Sequence, residues 1–129
     1  MDGPAGADAP HLPEQAPIEA YGQGGFRFAG MSHRGSLLCL PSGIWAWPVT
    51  ETSQIAEASL SRVFSEAADI GLLVIGTADA AWDIPQELRF RFREVSITPE
   101  TMRTSHAITT YNILVGEKRR VAAALIAAR

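Results

Sequence analysis

The stretch TSHAITTYNILVGEKRRVAAALIAAR, residues 104–129, decides how the fold is read. Thr104 or Ser105 can cap a helix through Val115, because a hydroxyl at that point accepts a hydrogen bond from one of the first free N–H groups. Ile108, Tyr111 and Val115 line one face at helical spacing, and Gly116 predicts a C′ stop. The segment Val121 to Ile126 is ambiguous. Alanine favours helix, but a glycine stop followed by Glu117-Lys118-Arg119-Arg120 makes a turn into a strand the more natural continuation. Propensity is a weak prior, so a strand is predicted over 121–126.

Upstream, the run Ile70-Gly71-Leu72-Leu73-Val74-Ile75, closed by Gly76-Thr77, predicts a fully buried central strand. Between these two strands, Pro85 suits the first turn of a helix over 85–97, with Asp83 as its cap. Leu88, Phe92 and Val95 would be its apolar stripe, and Phe90 is the awkward residue at its margin. Ile97 to Met102 then predicts a short strand that Pro99 places at a sheet edge or a bulge. Thr52 or Ser53 can cap a helix running to Asp69 on Ile55, Leu60, Val63, Phe64 and Ala67. Before it, Ile18–Tyr21, Phe26–Phe28, Ser36–Leu40 and Gly43–Trp47 alternate with turn residues and predict a four-strand β-meander. Trp45 and Trp47 would share one side of their strand and pack under the following helix.

The chain has 129 residues, 47% of them hydrophobic, which suits one domain with a single core. Residues 1–17, rich in Pro, Ala, Gly and acids, predict a disordered tail, and 18–129 a single globular domain. The net charge of −3 conceals an asymmetry. Through Glu87 three arginines face eleven acids, and afterwards eight bases face three acids, so the halves carry −8 and +5. In a compact domain such halves interleave and neutralise one another. The acidic total argues against nucleic acid as a partner, since phosphate neutralisation needs a clear excess of Lys and Arg. Cys39 cannot form an internal disulfide, which suits a reducing compartment. No basic start with an apolar run and no membrane-spanning stretch is present, so a cytoplasmic location without a transmembrane segment is expected.

Together these pieces resemble the family of proteins related to mitochondrial complex I (NADH:ubiquinone oxidoreductase) assembly factor three, which includes bacterial and archaeal members and an adipogenesis-associated relative. The matching residues are Ile18-Glu19-Ala20-Tyr21-Gly22 with Gly24-Gly25-Phe26-Arg27-Phe28, Gly35-Ser36-Leu37-Leu38, Trp45-Ala46-Trp47, Leu72 to Thr77, Met102 with Thr104, Thr110-Tyr111-Asn112, and Arg119 to Ile126. The resemblance implies an α/β fold of three layers: a mixed central β-sheet, additional N-terminal β-structure and flanking helices, with the last strand antiparallel to its neighbours. It also implies a link to complex I biogenesis for some members, and it brings no catalytic residues to transfer. Two departures stand out. Gly76-Thr77-Ala78 replaces a usual Gly-Thr-Gly, and Met102-Arg103-Thr104-Ser105-His106-Ala107 replaces Met-Asp-Thr-Gly-Ala-Ala, so Arg103 reverses the local charge.

Motifs that carry chemistry are sparse. Gly22-Gln23-Gly24-Gly25 is followed by a strand rather than a helix, so it reads as a hairpin turn and not a dinucleotide loop. His33, His106 and Cys39 lack ligand spacing, and neither a metal nor another cofactor is expected. The candidate cleft is composite. Gly76 and Thr77 follow a central strand's C-terminal end, where α/β sheets commonly bind ligands, and a helix beginning near Ser105 would present free N–H groups there. Thr104, Ser105, His106, Tyr111 and Asn112 would supply polar groups. The architectural alternative is the stronger one: a capping hydroxyl, a packed tyrosine with its hydroxyl satisfied, and an asparagine bonded to loop backbone. The sequence therefore points first to a non-enzymatic interaction or assembly protein with a protein partner. The alternative is a small ligand-binding domain or enzyme using the Gly76/Thr104/Tyr111 region.

Overall fold

The structure, a computed structural model, describes residues 9–127. Among these residues eight strands form two sheets. Strands β1 (Ile18–Gly22), β2 (Gly25–Phe28) and β3 (Met31–Arg34) make a small antiparallel sheet. Strands β4 (Ser36–Leu40), β5 (Gly43–Trp47), β6 (Leu72–Gly76), β7 (Thr98–Met102) and β8 (Val121–Leu125) make a mixed sheet in the order β5-β4-β8-β6-β7. The α-helices are α1 (Ser61–Ser65), α2 (Gln86–Glu94) and α3 (Thr104–Gly116).

The alanine-rich end is the middle strand of the mixed sheet, and all five of its residues are buried. Small side chains let layers on both faces come close, which is why a run of good helix formers sits in a strand here. The strand β8 is antiparallel to β4, as the resemblance implies, but parallel to β6 on its other side, because the crossover through α3 returns the chain in the direction of β6. The implied antiparallel placement against its neighbours holds on one side alone. Both parallel connections out of β6 and β7 contain a helix. They travel in opposite directions along the sheet, so crossovers of one hand must pass over opposite faces. Accordingly, Leu88 and Phe92 of α2 pack with Leu73 and Ile75, whereas Ala107 and Tyr111 of α3 pack with Val74. The small sheet joins α3 on its face through Ile18, Phe26 and Phe28.

Several sequence expectations need correction. The meander of four strands is five, divided between two sheets. The missed strand is β3, whose Met31-Ser32-His33-Arg34 is polar because it forms the margin of a small sheet with one open face. Its pairing rests on backbone: Phe26 opposes His33 and Phe28 opposes Met31. Both hairpin turns of this sheet carry two successive positive-φ residues, Gln23-Gly24 and Ala29-Gly30. That geometry matches the twist of the flanking strands.

The helix expected from residue 52 to 69 is instead α1 with 3₁₀ turns at Thr52–Gln54, Ala58–Leu60 and Ala67–Asp69. Serine side chains compete for the backbone: Ser59 Oγ accepts from Ala56 N at 2.9 Å, and Ser65 Oγ donates to Arg62 O at 2.7 Å. The apolar positions still do their work, with Ile55, Leu60 and Val63 buried. Trp45 and Trp47 face that layer, and Trp47 Nε1 donates to Ser59 O at 2.7 Å.

Helix ends also differ from expectation. Pro85 rather than Asp83 stands at the start of α2, and no side chain caps it. Gly116 is the last helical residue of α3, and the left-handed position is Lys118, φ 59°. Lys118 N donates to Val115 O and Arg119 N to Leu114 O, each at 2.9 Å, which closes the helix in a Schellman motif two residues beyond the glycine. Strand β7 lies at the sheet edge, one of the two positions that Pro99 allowed. Because Thr98 N donates inward to Gly71 O, residue 99 turns outward, where a missing N–H is harmless.

Of the stretch expected to be a disordered tail, residues 1–8 lie outside the described residues. Residues 9–17 make contacts that composition does not reveal. Leu12 bridges to Ile44, with His11 N donating to Ile44 O at 2.7 Å and Ile44 N to Leu12 O at 2.9 Å. Gly43 makes room for this strap, since a β-carbon there would lie 2.1 Å from Leu12 O.

Candidate functional site

The helix α3 begins against the end of β6. Gly76 has no side chain there because Thr104 occupies the space: a β-carbon on Gly76 would meet Thr104 Oγ1 at 2.8 Å and Thr104 Cα at 2.9 Å. Thr104 is fully buried, and its hydroxyl does not cap the helix. It accepts from Ala78 N at 2.8 Å and donates to Ile126 O at 2.8 Å, tying the loop after β6 to the residue after β8. Ile126 N in turn donates to Gly76 O at 2.9 Å. The buried Thr77 hydroxyl donates to Ala80 O at 2.8 Å and stands 3.3 Å from Met102 O. Both hydroxyls are therefore engaged by backbone groups within this junction.

Ser105 and His106 follow on the exposed side of the first turn of α3. The structure brings Gly76, Thr77 and Thr104 together, with Ser105 and His106 on the solvent side of the same helix start. Tyr111 and Asn112 lie further along α3 and bind a different segment. Tyr111 OH donates to Ala16 O at 2.9 Å. Asn112 accepts from Ile18 N at 2.8 Å and donates to Ile18 O at 2.9 Å, a two-point grip on the backbone of β1. Gln15 adds a bond to Val121 O at 2.7 Å. Tyr111 and Asn112 thus fasten the entry to the small sheet onto α3.

Burial dominates the electrostatics at this face. It pushes the Cys39 thiol up to about 12, against a smaller opposing effect of a hydrogen bond with Tyr111. The Tyr111 hydroxyl is raised as well, by burial first and by its Cys39 neighbour second. Two neutral groups packed in an apolar layer suit packing rather than proton transfer at neutral pH. Among the described residues, no group of three or more His, Cys, Asp or Glu side chains is placed to hold a metal ion.

Sequence reasoning missed Ala78, Ile126, Ala16 and Ile18 as the partners of these side chains, because each takes part through its backbone. Only Ala78 carried a signal. It sits at φ 60° where the resembled family has glycine.

Clefts elsewhere have different linings. One of about 610 Å³ lies on the small sheet beside Arg27 and Arg34. Another of about 580 Å³ is bordered by Gly71, Thr98, Lys118, Arg119 and Arg120. A third, of about 380 Å³, lies along α2 at Ile84, Gln86, Arg89, Phe90 and Arg93. None of the seven candidate residues borders these three.

Residues 18–126 match a family model described as protein of unknown function (DUF498/DUF598). An NMR structure of a Rhodopseudomonas palustris protein is similar at TM-score 0.82 and 54% identity, covering 94% of this chain and 90% of that one. A crystal structure described as an outer membrane protein from Bartonella henselae is similar at TM-score 0.88 and 46% identity, covering 92% of this chain and 100% of that one. The NADH dehydrogenase (ubiquinone) 1 alpha subcomplex assembly factor 3 of Xenopus tropicalis is 36% identical over 110 residues. That alignment covers 84% of this chain and 60% of the Xenopus protein, so the chain spans about three-fifths of that relative's length.

Proposed function

Because this chain belongs to the DUF498/DUF598 family, we propose that it acts as a non-enzymatic, assembly-factor-like protein in the biogenesis of respiratory complex I or another membrane complex. The observation that carries this reading is the similarity of 84% of the chain to an assembly factor of NADH dehydrogenase. The candidate junction supports it in a second way. The hydroxyls of Thr77 and Thr104 bind backbone and build a rigid platform, on which Ser105 and His106 stand exposed as contact residues. Globular residues 18–129 act in this reading as one unit, in the cytoplasm. No helix among the described residues is long and apolar enough to cross a membrane.

The test is deletion of the gene, with NADH:ubiquinone oxidoreductase activity and the assembled complex measured in membranes, combined with crosslinked affinity capture of the tagged chain. Reduced complex I, restored by the intact gene, and capture of its subunits or of their membrane partners are expected. Normal levels of complex I and of the other respiratory complexes, with none of their subunits captured, would refute the proposal. Fractionation of the tagged chain checks the location, and recovery with the outer membrane, matching the description of the Bartonella relative, would overturn it.

A further inference from the structure

The geometry points to the outer side of α2 as a docking site for an acidic segment of a partner protein, with Phe90 as the apolar anchor and Arg89 and Arg93 as the groups that receive carboxylates. This rests on the reading that the chain works through protein contacts, and names one surface and the chemistry it would recognise.

Phe90 is 57% exposed, whereas Leu88 and Phe92 on the same helix are 5% and 0% exposed. The core already has its aromatic contact from this helix, since the rings of Phe92 and Phe64 lie 5.1 Å apart between centroids. Packing therefore gives no reason for a second phenylalanine two positions away. At 100° per residue, Gln86, Arg89 and Arg93 fall to one side of Phe90, and Glu87, Glu94 and Arg91 to the other. On the acidic side Arg91 pairs with Glu57 at 2.8 Å and lies 3.9 Å from Glu94, while Glu87 has no basic group within 4.0 Å among the described residues. The basic side has no ion pair of its own. Among the described residues, neither Arg89 nor Arg93 has a carboxylate within 4.0 Å, and both border the cleft of about 380 Å³ with Ile84 and Phe90.

Arg89 is also oriented before any partner arrives, because its Nε donates to Ile84 O at 3.0 Å. That bond leaves the terminal nitrogens to bind elsewhere, and a planar guanidinium held this way loses less freedom when it meets a carboxylate. An aromatic ring beside arginines is the composition that dominates protein-interface energetics. Charge selects the occupant: two unmatched guanidiniums against an apolar wall fit an extended or helical segment alternating acidic and apolar residues.

The experiment is a titration of the ¹⁵N-labelled full chain, followed by amide shifts, with a twelve-residue peptide alternating Glu with Leu and Phe. A peptide with Lys in place of every Glu and anionic phospholipid vesicles are run in parallel. Shifts centred on Ile84, Gln86 and Arg89 to Arg93 are expected with the acidic peptide alone. F90S and the double variant R89E/R93E should each weaken binding by about tenfold or more. The melting temperature of F90S should stay near wild type, because an exposed ring contributes little to the core, so loss of binding cannot be ascribed to unfolding. Shifts centred on Lys118 to Arg120 or on Arg27 and Arg34 would overturn the assignment, as would equal binding of the Lys peptide. Vesicle binding through Phe90 without peptide binding would also overturn it, in favour of a membrane surface.

The two proposals fail separately. If the peptide does not bind but the intact gene restores complex I in the deletion strain, the docking site is wrong and the assembly role stands. If the peptide binds as expected and deletion leaves every respiratory complex unchanged, the docking site stands without that role.

Discussion

Thr104 Oγ1 lies 2.8 Å from the place where a β-carbon on Gly76 would be, so one residue's hydroxyl requires the other's lack of a side chain. Thr104 cannot retreat, being fully buried and bonded to both Ala78 N and Ile126 O. Substituting Gly76→Ala should lift the start of α3 from the sheet and destabilise the fold by about 1–3 kcal/mol. Urea unfolding reads this as a lower midpoint at an unchanged slope, and a midpoint equal to wild type would contradict the close approach.

The same junction separates shape from hydrogen bonding. Thr104→Val keeps the volume but leaves the Ala78 N–H and the Ile126 carbonyl without their partner. Unsatisfied buried groups cost roughly 1–3 kcal/mol each, so a loss of at least about 2 kcal/mol is expected. Thr104→Ser keeps the hydroxyl and loses only a methyl group. Its stability should fall between the two, and Val equal to Ser would show that the hydroxyl bonds contribute nothing.

How far this could be seen in the chain depends on whether a residue acts by its side chain or its backbone. The strand β8 was legible because Glu117 to Arg120 break the helix before five alanine-rich residues, and the edge position of β7 because Pro99 has no N–H. Helix α2 was legible from Pro85 with Leu88 and Phe92, and the misfit of Phe90 was visible there too. The continuous helix over 52–69 was not, since periodicity reports which positions are buried and Ile55, Leu60 and Val63 are buried either way. What it omits is the competition of Ser59 and Ser65 for backbone groups. At the candidate junction the sequence grouped Gly76, Thr77 and Thr104 but offered Thr104 or Ser105 as a helix cap, whereas no side chain caps α3 and the Thr104 hydroxyl is bonded elsewhere. Its partners are backbone atoms 26 and 22 positions away, and no side-chain pattern marks them.

Ala78 offers a prediction of opposite sign. It holds φ 60°, where an L side chain crowds its own carbonyl and glycine does not. Ala78→Gly relieves that strain while making the unfolded chain more flexible, and the balance should favour the folded state by about 0.5–1 kcal/mol. A raised denaturation midpoint checks it. A lowered one would mean that the Ala78 methyl, which packs against the cluster containing Leu73 and Ile75, outweighs the strain.

Cys39 should be inert in the folded protein. Burial holds its thiol at about 12, and the thiolate is the reacting species. At pH 8 a disulfide reagent such as dithiobis(nitrobenzoate) should label it far more slowly than it labels the urea-unfolded chain, because the reaction passes through the small open population. Tyr111→Ala removes the side chain packed beside it and the bond to Ala16, so labelling should then become faster. Labelling of the intact fold at a rate near that of the unfolded chain would show that the thiol is accessible.

His33 makes the strap sensitive to acid. Its ring lies 4.5 Å, centroid to centroid, from that of His11, and burial first and the His11 charge second lower its pKa below the ordinary 6.5. Between that lowered value and 6.5 the unfolded chain binds more proton than the folded one, so stability rises with pH through the window and falls as pH drops through it. The melting temperature should therefore decline on going from pH 7.5 to pH 5, and His33→Gln should flatten the part of that decline due to this residue. The effect should be local before it is global. His11 anchors residues 11–12 to Ile44, so hydrogen exchange at Ile44 N, which donates to Leu12 O, should accelerate on acidification beyond the change in intrinsic exchange. A slope unchanged in the variant, with Ile44 protected equally at both pH values, would mean that the two imidazoles separate and solvate without disturbing the strap.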